Sequence, residues 1–593
     1  MLSESANIAR HLPAMAAAQP AAPALKVPRG RTAGGRIDYL TLSFADLEKE
    51  VGSWQALLDQ RGVKPGDRVL VMVRQGLPLI ASVFALFAAG AVPVVIDPGM
   101  GRKAFLSCVA RSQPRVLLGI PAAHILSRVF RTAFRSVEIR VQASSRPTTR
   151  RATATGTLAA RARVVASAAT DLAAILFTSG STGAPKGVCY EHGMFDAQVG
   201  LIRDTYGIAA GEVDLPMLPI FALFNPALGM TTIVPEIDPT RPAQVEPARI
   251  VQAIRQENVT NSFGSPTLWH KIAAYCHERQ IQLPSLKRVL CAGAPVPPAL
   301  WPTMANVMPH GELHSPYGAT EALPVASVAA REIVIETAER TLAGAGTCVG
   351  RPLPANDVRI IALAEGLIRT MDDARELPAE TIGEIIVAGP TVTRMYDNLP
   401  EATAKAKIRA NAERRTSNAE RRMAEADRSN LQRSVFEVQR STFSDLVYHR
   451  MGDVGYLDAS GRLWFCGRAA ERVETSDGPL YTEQVEPLFN AHPLIRRCAL
   501  IGLGPRGAQQ PALVIEPREW KPFRTRAAQT RLAGELHLRA ATHAHAARVH
   551  RFYFHRSLPV DVRHNAKIHR LTLAGWAATA PSIDLAPVAP EAS

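Results

Sequence analysis

Residues 177–187 read Phe-Thr-Ser-Gly-Ser-Thr-Gly-Ala-Pro-Lys-Gly, eleven positions holding three glycines, four hydroxyls and one lysine. Just before them, residues 172–177 form an apolar, strand-like run. A strand that feeds such a loop can hold a polyphosphate. Glycines let backbone N–H groups approach the anion, hydroxyls donate further hydrogen bonds, and a lysine adds charge. Thr178, Ser179, Gly180, Ser181, Thr182, Gly183 and Lys186 are therefore the expected phosphate ligands. The run is not a Walker A loop, which needs glycine immediately before the lysine. That position is Pro185.

Further blocks follow in an order that resembles the adenylate-forming superfamily of acyl-CoA synthetases, luciferases and peptide synthetase adenylation domains. They are Ala292-Gly-Ala-Pro295, Tyr317-Gly-Ala-Thr-Glu321, Met451-Gly-Asp-Val-Gly-Tyr-Leu-Asp458, Gly467-Arg468 and His564-Asn-Ala-Lys-Ile568. The resemblance implies an adenine and ribose site of Gly293, Ala294, Pro295, Tyr317, Gly318, Asp453 and Arg468. Asp453, an acceptor through both oxygens, would take the ribose hydroxyls. Thr320, Glu321 and Lys567 would be catalytic, with Glu321 also binding Mg²⁺, which favours a carboxylate plus phosphate oxygens. Lys567 would offset the charge that develops as a carboxylate attacks the α-phosphate of ATP. ATP and Mg²⁺ are the implied cofactors. Two positions depart from the family: Met451 stands in place of threonine, and Ala470 in place of the usual acidic or lysine hinge residue.

Within the superfamily the chain most resembles the β-lactone-forming branch of bacterial long-chain olefin biosynthesis. Four stretches carry this resemblance: residues 219–229, 450–458, 474–481 and 558–567. It implies a 2-alkyl-3-hydroxy fatty acid whose carboxylate is adenylated and whose own β-hydroxyl then expels AMP. Phe221 and Phe224 are the implied acyl-pocket residues, and a reductase and a β-lactone decarboxylase of the same pathway are the implied partners. Two features agree with the absence of a thiol acceptor. Ala222 stands where a histidine is common, and Asp477 and Tyr481 stand in a loop expected to be small-residued where pantetheine threads. A long-chain fatty acyl-CoA or acyl-carrier-protein ligase shares every ATP-site residue and remains the alternative. A catalytically dead scaffold is opposed by the intact Lys186, Glu321, Asp453 and Lys567.

These residues need a scaffold. Strand-like and helix-like segments alternate from residue 42 to 119 and again from 250 to 291, a rhythm that predicts α/β sheets covered by helices. The chain of 593 residues is too long for one core. A large domain over 1–467 and a small, mobile α+β domain over 468–593 are expected. Residues 77–96 have nearly the length and apolarity of a membrane span, but Pro78, Gly90 and Pro93 interrupt them. They read as a buried helix and a buried strand. Residues 140–163 read as an exposed linker. Residues 401–440 carry ten basic and six acidic residues with no Gly or Pro, and read as an inserted, solvated helix.

The net charge of +15 comes with no zinc-finger spacing and no RNA-recognition aromatics, so nucleic acid is not an expected partner. Seven scattered cysteines without a C-x-x-C fit reduced thiols and a cytoplasmic setting. His543, His545, His550 and His555 read as a polar face rather than a metal site.

Overall fold

A computed structural model describes residues 5–143, 161–178, 184–238, 241, 244–410, 446–560 and 567–586. The first of its sheets has six strands in the order Ile139–Gln142, Val116–Gly119, Arg68–Met72, Val92–Ile96, Leu172–Thr178 and Lys186–Glu191. All neighbours are parallel except the last two, which form a hairpin. Parallel strands buried on both faces should be continuous apolar runs, and Val-Leu-Val and Ala-Ala-Ile-Leu-Phe are such runs.

The stretch of membrane-span length is the helix Leu77–Ala88 and the strand Val92–Ile96. The helix is apolar all round because it is buried all round: Ala81, Phe84, Ala85 and Leu86 are each at most 1% exposed. Burying Phe84 alone contributes about 2–3 kcal/mol. Among the described residues no helix is long and apolar enough to cross a membrane. The helix Phe44–Gln60 packs beside it and starts at a capping box, in which Ser43 Oγ accepts from Asp46 N–H and the Asp46 side chain accepts from Ser43 N–H.

The largest sheet is mixed. Its parallel centre runs Glu312–Ala319, Arg288–Cys291, Asn261–Gly264, Val213–Pro216, Thr231–Ile233 and Pro23–Arg31. From Glu312–Ala319 outward it becomes antiparallel through Ala322–Ala329, Thr347–Pro352, Leu463–Arg468 and Val447–Leu457. A third sheet, Ile495–Leu503, Gln510–Pro517, Arg551–Phe554 and Ile583–Asp584, has its own core around Leu500, Leu513, Leu536 and Phe552.

The reading of 401–440 as one helix needs correction at its start. Pro400–Ala406 is helical, but Lys407–Arg409 is a strand paired antiparallel with Val447–Leu457. Ile408 is fully buried there, which a solvated helix could not achieve. The remainder of that segment, and most of 140–163, lie outside the described residues; Arg140 belongs to the strand Ile139–Gln142.

Candidate nucleotide-binding active site

The hairpin Leu172–Thr178 and Lys186–Glu191 presents the glycine-rich loop, and Thr178 pairs with Lys186 across it. Ser179, Gly180, Ser181, Thr182 and Gly183 lie outside the described residues. The Lys186 ammonium sits 4.7 Å from the Tyr396 ring centroid. Across the site is the turn between Glu312–Ala319 and Ala322–Ala329, which carries Tyr317, Gly318, Thr320 and Glu321. Only glycine fits at 318, because a Cβ there would stand 2.5 Å from the Ala322 carbonyl oxygen.

Side chains from elsewhere hold this turn. Tyr190 Oη donates to the Thr320 carbonyl at 2.5 Å, and Tyr396 Oη donates to Glu321 Oε1 at 2.8 Å. Thr393 donates to the Glu321 carbonyl twice, from its N–H at 2.9 Å and its hydroxyl at 3.1 Å. The segment 391–397 is also tied to the loop hairpin, since Asp397 N–H donates to Gly187 O and Cys189 N–H to Met395 O. Thr393 and Tyr396 were not singled out from the sequence, because their role depends on two remote hairpins.

Asp453 is 4% exposed and sits between Tyr317 and Arg468. Tyr317 Oη donates to its Oδ2 at 2.5 Å, and Arg468 Nη1 lies 2.9 Å from Oδ1. That Oδ1 accepts no hydrogen bond from the described residues. Burial pushes the Asp453 carboxyl up, against the opposing pull of Arg468, Tyr317 and Lys567. Lys567 is thus within electrostatic reach of Asp453, brought there by the pairing of Ile568 with Val560. Met451, where the family has threonine, is 4% exposed in the core with Val392 and Val325.

The turn at 292–295 follows the strand Arg288–Cys291. Gly293 has φ +99°, a left-handed value that suits glycine, and is exposed together with Pro295, whereas Ala294 is half-buried. Ala292 N–H donates to the Gly264 carbonyl, which brings Phe263 alongside. Phe221 stacks on Phe263 with centroids 3.7 Å apart, and Phe224 lies 6.3 Å from Phe221. Ala222 lines a narrow apolar crevice with Leu79, Ile80, Pro216 and Val234. The predicted acyl residues and the predicted adenine turn are therefore neighbours. A cleft of about 740 Å³ beside Arg255, His277 and Asn306 shares no residue with this site.

Two buried basic groups underlie the site. Lys407 is 8% exposed, and its ammonium donates to the Thr393 carbonyl and, at 3.3 Å, to the Thr393 hydroxyl. Burial lowers its pKa to about 7, with Glu321 pulling it up and Lys186 pushing it down. His449, its cross-strand neighbour, is held well below the ordinary histidine range by burial and by Lys407. Neutral, it lies with Nδ1 3.2 Å from the Ala406 carbonyl.

The model of the AMP-binding enzyme family matches residues 13–397. The chain belongs to that family. Its relatives include the olefin β-lactone synthetase of Xanthomonas campestris pv. campestris, 44% identical over 96% of this chain and 97% of that protein. The olefin β-lactone synthetase of Stenotrophomonas maltophilia is 43% identical, over 97% of this chain and 99% of that one. The fold matches ATP-bound MatB from Rhodopseudomonas palustris with a TM-score of 0.72 at 19% identity, over 97% of this chain and 99% of that chain.

For this AMP-binding enzyme, only one of the two residues expected to fill space in the acceptor loop turns inward. Asp477 stands exposed at the tip of the hairpin Val473–Thr475 and Gly478–Leu480, and Tyr481 is a core residue packed in the cluster of Cys466 and Trp464. All seven cysteines are free and buried. The histidines do not converge: His543 is half-buried, His545 is exposed, His550 meets His537 edge-on, and His555 meets Trp576.

Proposed function

We propose that the chain converts a 2-alkyl-3-hydroxy fatty acid and ATP into a β-lactone, AMP and pyrophosphate. The observation that carries this reading is the 43–44% identity, over nearly the whole chain, to two olefin β-lactone synthetases. The chemistry needs positioned charge more than acid–base machinery. A carboxylate oxygen attacks the α-phosphorus, and the bond to the β-phosphate oxygen breaks to release pyrophosphate. The β-hydroxyl oxygen then attacks the acyl carbon, the bond to AMP breaks, and the hydroxyl proton passes to solvent. Because the nucleophile is part of the substrate, no second acceptor has to enter.

In this reading Lys186 and the 178–183 loop bind the β- and γ-phosphates. Asp453 takes the ribose hydroxyls, a role supported by its buried Oδ1, which accepts no hydrogen bond from the described residues. Tyr317, Gly318, Gly293, Ala294 and Pro295 flank adenine, and Arg468 holds Asp453 in its ionised form. Thr320 and Lys567 face the reacting carboxylate and α-phosphate. Phe221 and Phe224 line the acyl site beside the Ala222 crevice. Among the described residues no group of three or more His, Cys, Asp or Glu could cage a metal. The lone carboxylate of Glu321 suits Mg²⁺ that arrives on ATP, because that ion keeps phosphate and water ligands. Bound there, Mg²⁺ would neutralise phosphate charge. The chain works as a large body over 1–467 and a small one over 468–593, in the cytoplasm, next to the reductase and the β-lactone decarboxylase that supply and consume its substrate and product.

The test uses the 2-alkyl acid that lacks the 3-hydroxyl. It should release about one pyrophosphate per active site and then stall as bound acyl-AMP. If added CoA restores turnover to a thioester, the protein is an acyl-CoA ligase.

A further inference from the structure

Lys407 has no place in the roles above, yet it lies beneath the centre of the site. Its ammonium is tied to Thr393 alone among the described residues, with no carboxylate at ion-pair distance. Thr393 in turn holds the carbonyl of Glu321 from both its N–H and its hydroxyl. The next groups outward are Tyr396, which donates to the Glu321 carboxylate, and Lys186 over the Tyr396 ring. The same segment is bonded to Gly187 and Cys189 of the loop hairpin. Lys407 therefore props a strip of backbone that joins the phosphate-loop hairpin to the Glu321 turn.

A buried ammonium with no carboxylate in direct contact among the described residues costs stability, and a structural role needs no charge. An apolar side chain of the same length would pack against Ile408 and Thr393 without that cost. The charge makes sense where a ligand brings anionic charge beyond that of Glu321.

We propose that Lys407 is a positioning residue for adenylation: through Thr393 it fixes the Glu321 turn, and the ATP polyphosphate, when bound, joins Glu321 in balancing its charge. This inference rests on the nucleotide placement proposed above.

Three measurements on the full chain test it: melting without ligand, calorimetric titration with ATP and Mg²⁺, and steady-state kinetics. K407M should melt no lower than the parent protein. It should bind ATP about tenfold more weakly, the order expected for one removed charge in a partly buried site. Its kcat should fall while the KM for the hydroxy acid stays unchanged. T393V keeps the ammonium but removes the hydroxyl link to Glu321, and should lower kcat with ATP affinity within about threefold of the parent. K407M that binds ATP as tightly as the parent overturns the proposal. So does K407M that melts several degrees lower with activity lost in parallel, because Lys407 would then be merely structural. A parent protein that binds no ATP overturns the nucleotide-site reading itself.

Discussion

Arg570 stands three positions after Lys567 and is buried between two carboxylates. Its guanidinium donates to Glu486 at 2.7 and 2.9 Å and to Glu471 at 2.7 Å. The side chains of Glu471 and Glu486 are only 10% and 6% exposed. Glu471 ends the short turn Ala469–Glu471 that follows Arg468, so this pair fastens the Lys567 segment to the junction itself. Those carboxylates hold the guanidinium well above the ordinary arginine range despite its burial. R570M removes one partner and strands two nearly buried carboxylates, a change that typically costs about 3–5 kcal/mol. The loss should appear in urea as earlier unfolding of the third sheet and its helices. Kinetically, Lys567 should leave the site, and ATP–pyrophosphate exchange should fall by about 10²–10³-fold, the usual effect of removing one electrostatic stabiliser. ATP binding should weaken far less, because Tyr317, Asp453 and Arg468 are untouched. K567A serves as the comparison, with the same kinetic loss and no early unfolding. R570M that keeps near-parental exchange would refute the argument, and so would equal losses of exchange and ATP binding.

D453N should weaken ATP binding by about 10–100-fold, since it removes charge-assisted acceptors and leaves Arg468 without its partner; titration calorimetry measures this, and unchanged affinity would remove Asp453 from the ribose site. Asp214 is buried beneath the Phe221 segment, accepts from Asn225 at 2.9 Å, and is pushed up to about 7 by burial. Its folded pKa exceeds the unfolded value of 3.8, so stability should fall as pH rises from about 4 to about 7 and level off above, by at most about 4 kcal/mol. D214N should flatten that decline in urea midpoints measured at pH 5 and pH 8.

The parts of the site legible in the sequence are those built from short, local motifs. Tyr317, Gly318 and Glu321 share one turn, and Asp453 and Arg468 face each other across one pair of strands. Apolar runs broken by Pro and Gly located the buried helix and strand within residues 77–96, which are Leu77–Ala88 and Val92–Ile96. Lys407 was lost because a three-residue strand of Lys-Ile-Arg has no readable period and follows a helix rich in alanine. Its burial depends on Thr393 and on the strand Val447–Leu457, both set by tertiary pairing. Tyr396 and Thr393 failed to show for the same reason. Asp477 misled because a charged residue in a loop looks obstructive until the hairpin turns it outward to solvent. There the guanidinium of Arg548 takes its backbone carbonyl rather than its carboxylate.

The most direct test of the central claim is product analysis after incubation with ATP, Mg²⁺ and a 2-alkyl-3-hydroxy fatty acid, without CoA. The account predicts a β-lactone with one AMP and one pyrophosphate per lactone. AMP that appears only when CoA is added, together with a thioester product, would contradict it.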